Sequence, residues 1–200
     1  MTADAYRELA DLLKVENQHN EIACGAYLQF ALPLLLARTP IEIIKMEREE
    51  RSFFGASDFV VSAKFRRDAG GTETAAYIWE VKSAQCCIMT KDENNNRYAP
   101  SKDLYKAENQ LIHYLHDATN NGAFRDRYGV GATGPVYAGG IIIGTDARVV
   151  AKGARQDPAK ALDSLTLRRR YLYRHEQIRV LTWDDIMHYL APTQSTALAR

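Results

Sequence analysis

The segment AAYIWEVK, residues 75–82, decides the fold, because it is apolar almost to its end and then carries a charged pair. Side chains alternate between the two faces of a β-strand, so Glu80 and Lys82 share one face and Val81 points to the other. Burying two opposite charges in an apolar strand costs free energy, so their presence here suggests that they serve a function. The segment therefore predicts a buried strand with a polar site at its end.

The preceding segment, DFVVSAKF at residues 58–65, predicts a second strand, and the loop RRDAGG at 66–71 has the glycines of a hairpin turn. This connection can bring Asp58 and Glu80 side by side. Two adjacent carboxylates repel unless a cation lies between them, and oxygen ligands suit Mg²⁺ or Mn²⁺. Such an ion activates water and neutralises phosphodiester charge, while Lys82 orients the water or stabilises the transition state.

The rest of the chain alternates between helical and extended patterns. Helices are predicted over 3–37 (with Asn20 as a cap after a polar break), from the cap Ser101 to Gly122, over 158–174, and from the cap Thr182 to Leu190. Strands are predicted over 41–47, 136–143 and 178–181, with a charged turn at 47–51 and a loop at 90–100. This order predicts one α/β domain over residues 1–200, a mixed sheet flanked by helices, with a frayed tail over 192–200.

Composition is that of an ordinary globular chain. Its 200 residues are 46% hydrophobic and 26% charged, with a formal net charge of +1, so any nucleic-acid-binding surface must be local. Cys24, Cys86 and Cys87 form no disulfide framework or zinc pattern and suggest reduced thiols. No signal peptide or membrane span is expected, and we infer a cytoplasmic location.

Asp58, followed after 21 residues by Glu80-x-Lys82, resembles the Asp…(Asp/Glu)-x-Lys signature of the PD-(D/E)XK nuclease superfamily. Ser57 stands where that signature has proline. The resemblance implies a restriction-endonuclease-like core, with helix, three-strand meander, helix and strand matching residues 21–143. It also implies that Asp58 and Glu80 bind Mg²⁺ or Mn²⁺ and that Lys82 assists the nucleophile.

Several short motifs also resemble the Shedu family of prokaryotic anti-phage nucleases. They are Asn20-Glu21, Asp58, IWEVK at 78–82, Gln110 within AENQLIHY at 107–114, and IRVLTWDDI at 178–186. The resemblance implies a DNA endonuclease in phage defence. Shedu effectors usually carry an additional N-terminal sensing domain, for which 200 residues leave no room, so sensing by another chain and assembly into a homo-oligomer are open alternatives.

Three further polar residues are candidates for this site. Gln110, on the helix beside it, is expected to approach the metal-bound water or Lys82. Glu21 or Glu16 could add a metal contact, and Glu21 is preferred because its helical pattern is cleaner. Gln110 can equally be an ordinary polar residue of an amphipathic helix, and Glu21 a charge that suits the helix dipole.

Two basic clusters are candidate DNA contacts. The first is Arg168, Arg169 and Arg170, next to Tyr171 and Tyr173, which can also be read as a solvated helix end. The second is the hairpin loop, with Lys64, Arg66 and Arg67.

Other patterns favour simpler interpretations. Gly129-x-Gly131-x-x-Gly134 precedes a strand instead of opening a helix, so a dinucleotide site is excluded. His113 and His116 lack further ligands. For the protein as a whole, a noncatalytic scaffold with the nuclease fold and an RNA-processing or repair nuclease remain alternatives to the DNA endonuclease. For Asp58, Glu80 and Lys82, a cross-strand ion pair is the structural alternative.

Overall fold

The computed structural model describes residues 1–16, 19–50, 57–92, 97–153, 156–174 and 178–191. Its strands are β1 (Glu42–Glu50), β2 (Ser57–Arg66), β3 (Thr72–Val81), β4 (Met89–Asp92), β5 (Arg97–Pro100), β6 (Val136–Ile142) and β7 (Val180–Leu181). Its α-helices are α1 (Ala3–Lys14), α2 (Glu21–Gly25), α3 (Leu28–Ala31), α4 (Lys102–Asn120), α5 (Gly122–Arg127), α6 (Pro158–Arg168) and α7 (Trp183–Leu190). Shorter 3-10 turns cover Leu32–Leu35 and Asp146–Arg148, and a π-helical turn covers Arg169–Tyr173.

The described strands form a five-stranded mixed sheet in the order β1-β2-β3-β6-β7 and a two-stranded sheet of β4 and β5. The β1-β2-β3 meander is antiparallel, whereas β6 runs parallel to both β3 and β7. Gly70 and Gly71 turn the β2–β3 hairpin with positive φ angles of 90° and 79°. The predicted mixed sheet flanked by helices is confirmed.

Each face of the sheet has its own core, because alternate residues of β2 and β3 point to opposite sides. Val60 and Ile78 pack with the buried face of α4. Val61 and Trp79 pack with the N-terminal helices and with α7. The edge at which β3 and β6 end is therefore flanked by helices on both sides.

The predicted charged turn at 47–51 is wrong for residues 47–50, because β1 continues to Glu50 and pairs there with Ser57; Arg51 lies outside the described residues. Side-chain contacts support the strand conformation, since Glu47 accepts a hydrogen bond from the Tyr128 hydroxyl at 2.8 Å and pairs with Arg127 at 2.9 Å. Residues 47–50 therefore form the charged end of a strand, where the sequence predicted a turn.

The predicted loop over 90–100 is also wrong, although residues 93–96 lie outside the described part. β4 and β5 pair antiparallel from Met89 opposite Pro100 to Asp92 opposite Arg97. The segment is polar and has no alternating pattern, so its strand conformation rests on pairing. The short helix α5, capped by Asn121, was also not predicted.

Two of the predicted helix caps are confirmed, whereas Asn20 precedes α2 without a capping hydrogen bond, because its side-chain amide donates to the Leu12 carbonyl. The Ser101 hydroxyl accepts from Leu104 N at 3.1 Å, and Thr182 and Asp185 form the predicted capping box. None of the described helices is long and apolar enough to cross a membrane.

Candidate active site

Glu80 and Lys82 meet at the end of β3. Glu80 is 1% exposed, and the Lys82 side chain is 14% exposed. The Lys82 ammonium donates a hydrogen bond to Glu80 Oε1. A carboxylate is thus held in the interior with a cation at its side.

The backbone of Lys82 is fixed from two directions. Its N–H donates to the Ile142 carbonyl of β6 at 2.7 Å. Its carbonyl accepts from Trp183 Nε1, at the start of α7, at 2.9 Å. These bonds position the Lys82 side chain at the edge where the parallel strands end.

Asp58 lies in β2, next to this strand end. The last paired residues of β2 and β3 are Phe59 and Trp79, and continuing the antiparallel register by one residue brings Asp58 opposite Glu80. Directly opposite positions of an antiparallel pair share a sheet face. The side chain of Asp58 lies outside the described part of the structure, so its joint metal site with Glu80 stays a prediction.

Gln110 lies on α4, which packs on this face of the sheet. Its Nε2 donates to the Tyr114 hydroxyl at 3.2 Å. Its Oε1 is buried and accepts no hydrogen bond from the described residues. A buried acceptor of this kind is usually satisfied by water or a ligand.

The described side chains contain no group of three His, Cys, Asp or Glu that could hold a metal by themselves. Mg²⁺ does not need one, because it keeps several waters and is commonly bound through one or two carboxylates. Glu80 and a neighbouring acidic position at Asp58 fit such an ion.

Two further acidic residues lie around the Cys86 thiol. Burial, with smaller contributions from Asp103 and Glu21, raises the pKa of Cys86 to about 12, and Lys82 opposes these effects. Asp103, Glu21 and Lys82 therefore all lie within electrostatic reach of one sulfur. Asp103 was not predicted, although its place in the first turn of α4, behind the Ser101 cap, was visible in the sequence.

Gln85 ties the loop after β3 to the N-terminal helices. Its Nε2 donates to the Val15 carbonyl at 2.7 Å, and its Oε1 accepts from Asn20 N at 3.4 Å. The Ser83 hydroxyl also donates to Gln85. This network ties Asn20, the residue before α2, to the loop that follows Lys82.

Glu16 has a different partner. It is 61% exposed and pairs with Lys152 at 2.7 Å. That hydrogen bond lowers the pKa of Glu16. Of the two alternatives, only Glu21 is brought next to Cys86 by the contacts described above.

The C-terminal basic cluster is mostly engaged within the protein. Arg168 binds Glu108 at 3.1 Å and the Tyr173 hydroxyl at 3.0 Å. Arg169 donates to the Val180 carbonyl at 2.7 Å. Arg170 is exposed and lies over the Tyr171 ring at 5.1 Å.

The hairpin cluster lies far from the candidate site. Arg66 ends β2, eight residues after Asp58, which corresponds to about 26 Å along a strand. Arg67 pairs with Glu73 at 3.4 Å. The fold therefore does not bring these arginines next to Glu80.

Comparison with known families gives one result. A family model described as the C-terminal part of Shedu protein SduA matches residues 19–187. Among curated proteins, none matches the sequence significantly. Because the match spans most of the chain, including Glu21, Glu80, Lys82 and Gln110, this protein belongs to the Shedu family of prokaryotic anti-phage defence proteins.

Proposed function

We propose that the protein is a metal-dependent DNA endonuclease of the PD-(D/E)XK type that acts in anti-phage defence. The observation that carries the proposal is the buried Glu80 carboxylate in contact with Lys82. It lies at a strand end where the β2–β3 register, continued by one residue, would bring Asp58 opposite Glu80. A purely structural surface ion pair would be solvated, whereas Glu80 is 1% exposed.

The element order also supports this fold type. Helical segments precede the β1-β2-β3 meander, and α4 connects β3 to the parallel strand β6. This is the helix, three-strand meander, helix and strand order of the restriction-endonuclease-like core. It places α4 beside the end of β3 that carries Glu80.

Asp58 and Glu80 would hold a Mg²⁺ or Mn²⁺ ion, which when bound acidifies water and neutralises charge on the scissile phosphate. The Lys82 ammonium, fixed through its backbone, orients the attacking water and stabilises charge that develops on the phosphate. The buried Gln110 Oε1, which has no partner among the described residues, would be available to accept a hydrogen bond from that water. Glu21 and Asp103 keep the surroundings acidic and favour a cation.

A nicking assay on supercoiled plasmid with Mg²⁺, with Mn²⁺ and with EDTA tests this proposal. We expect nicking only with a divalent ion, and its loss in Asp58→Ala and Glu80→Gln, with circular dichroism showing that both variants are folded at the assay temperature. Glu73→Gln is the matched control, because Glu73 lies at the other end of β3 and pairs with Arg38. Nicking by Glu80→Gln at the wild-type rate would contradict the assignment.

One observation favours the noncatalytic scaffold as a second candidate. The Lys82 ammonium already contacts Glu80, so the carboxylate is neutralised without a metal. Titration with Mn²⁺ separates the two functions when it accompanies cleavage assays on duplex DNA, single-stranded DNA and RNA. Metal binding without cleavage of any substrate would favour the scaffold, and cleavage of RNA alone would favour the RNA-processing alternative.

DNA contact is proposed for Arg170, because it is the exposed member of its cluster. Arg170→Ala should reduce the salt dependence of DNA affinity by roughly one unit in the slope of log K against log salt concentration. Titrations of DNA binding at several salt concentrations from about 50 to 200 mM measure this slope. An unchanged slope would leave Arg170 as a solvated helix-end residue.

A further inference from the structure

A cavity lies on the opposite face of the sheet from Glu80. It has a volume of about 430 Å³ and is lined by Ala37, Arg38, Tyr77, Tyr137, Ala138 and Arg179. We call it the tyrosine–arginine cavity. Its size falls in the range of small-molecule sites, roughly 300–1,000 Å³.

Two tyrosine rings form one wall of the cavity. The ring centroids of Tyr77 and Tyr137 are 5.2 Å apart, with planes inclined by 36°. Tyr77 is 3% exposed and Tyr137 is 37% exposed, so the wall runs from the interior to the mouth. A half-exposed ring beside a cavity offers a flat, apolar surface to a planar group.

A cation without an acidic partner forms another part of the lining. Arg179 Nε donates to the Gly139 carbonyl at 3.1 Å, and the guanidinium lies over the Trp79 ring at 4.9 Å. No carboxylate of the described residues pairs with Arg179, and burial lowers its pKa. A partly buried guanidinium without a counter-charge favours an anion within reach.

The other arginine of the cavity is already neutralised. Arg38 donates to the Glu73 carboxylate and to the Arg66 carbonyl. The uncompensated charge in the cavity is therefore that of Arg179, and it lies in one cavity with the two tyrosine rings.

We propose that the tyrosine–arginine cavity binds a nucleoside monophosphate, with the base against the Tyr77 and Tyr137 rings and the phosphate against the Arg179 guanidinium. A bare phosphate would leave the aromatic wall uncovered, and a nucleoside would leave the cation unpaired. Aromatic stacking accepts any base, because every base has a π face. The site goes beyond the proposed nuclease: Tyr77 precedes Glu80 by three residues on β3 and points to the other face of the sheet.

Calorimetric titration of the full chain in EDTA tests the proposal, because the absence of divalent ions separates this site from the proposed metal centre. The probes are dAMP, deoxyadenosine and inorganic phosphate. We expect dAMP to bind with one site per chain, and each of the other two to bind at least about tenfold more weakly, as expected when one charge-assisted contact or one stacking contact is missing. Glu80→Gln should bind dAMP like the wild type.

Variants locate the binding. Arg179→Met and Tyr137→Ala should each weaken dAMP binding at least about tenfold, whereas Tyr137→Phe should retain it. Arg7→Met is the matched control, since Arg7 pairs with Asp4 on the exposed side of α1. If Arg179→Met fails to fold, the Tyr137 pair decides the outcome. Undetectable dAMP binding, equal affinity for phosphate alone, or unchanged affinity in Tyr137→Ala would overturn the proposal.

Discussion

At the scale of single residues, the buried ion pair of the Glu80 carboxylate and the Lys82 ammonium links the stability of one side chain to the other. A carboxylate that is 1% exposed depends strongly on the cation in contact with it. Removing one partner of a buried ion pair leaves a charge in a poorly solvated place. The free energy of unfolding should therefore respond to substitutions of either residue of this pair.

Lys82→Met should lower the free energy of unfolding by about 3 kcal/mol in EDTA, because Glu80 loses the ammonium that contacts it. The double variant Glu80→Gln/Lys82→Met should recover most of the loss. Urea unfolding followed by circular dichroism measures both. Lys14→Met, in a surface pair 76% and 75% exposed, should change little. Equal losses in the single and double variants would argue against a charge effect.

A second residue-scale prediction concerns Cys24. Burial raises the pKa of its thiol to about 12, whereas an unfolded chain has a value of about 8.5. The folded pKa is the higher one, so this contribution to stability is complete below about pH 8.5 and is lost as pH rises toward 12.

Cys24→Ala should therefore flatten the fall of unfolding free energy between pH 9 and 11, by up to about 1.4 kcal/mol per pH unit. Urea titrations in reducing buffer at several pH values measure this slope. Between pH 6 and 8 the thiol is neutral in both states, and the two proteins should show parallel pH profiles. The same slope at high pH in both proteins would contradict the buried-thiol interpretation.

At the scale of elements, β6 passes the Trp79 ring at a bulge. The register shifts by one residue here, from Ile78 opposite Ala138 to Trp79 opposite Gly140. A Cβ on the extra residue, Gly139, would lie 2.3 Å from Trp79 Nε1. Only glycine lets the strand approach the indole this closely.

Gly139→Ala should destabilise the protein by about 1–3 kcal/mol, since the added Cβ would overlap the fully buried Trp79 indole. Thermal or urea unfolding measures the loss. Gly122→Ala is the matched control, because a Cβ there meets no atom within 4 Å. Wild-type stability in Gly139→Ala would mean that the strand and the indole separate easily.

At the scale of the whole molecule, Gln85 connects the loop after β3 to the N-terminal helices. Its side chain bonds to Val15 and to Asn20, 70 and 65 residues away in sequence. The position of α2, which begins at Glu21, relative to the loop after β3 depends on this connection.

Gln85→Met should keep the shape of the side chain but remove its hydrogen bonds. We expect faster amide hydrogen exchange over Glu21–Gly25 and a loss of about 1–3 kcal/mol, because buried polar groups lose their partners. Exchange mass spectrometry measures the first effect and urea unfolding the second. Gln156→Met is the control, since its Oε1 has no partner among the described residues. Unchanged exchange over α2 would show that the helix docks without Gln85.

Local sequence patterns determined the β2–β3 hairpin, the strand with Glu80 and Lys82, the α4 helix behind Ser101 and the capped start of α7. These elements carry their own signals, which are alternation, turn glycines and cap residues, and each signal acts over a few neighbouring residues. The same local signals brought Glu80 and Lys82 to one end of one strand.

Only the tertiary structure decided which distant residues meet. The polar strands β4 and β5, and the continuation of β1 through its charged end, are stabilised by pairing with other strands and leave no local period in the sequence. Asp103 and Gln85 reach the candidate site, and Arg179 joins Tyr77 and Tyr137 in one cavity, through contacts between segments far apart in the chain. Such contacts form because buried surface and hydrogen bonds offset the entropy of closing long loops, and that balance depends on the whole fold.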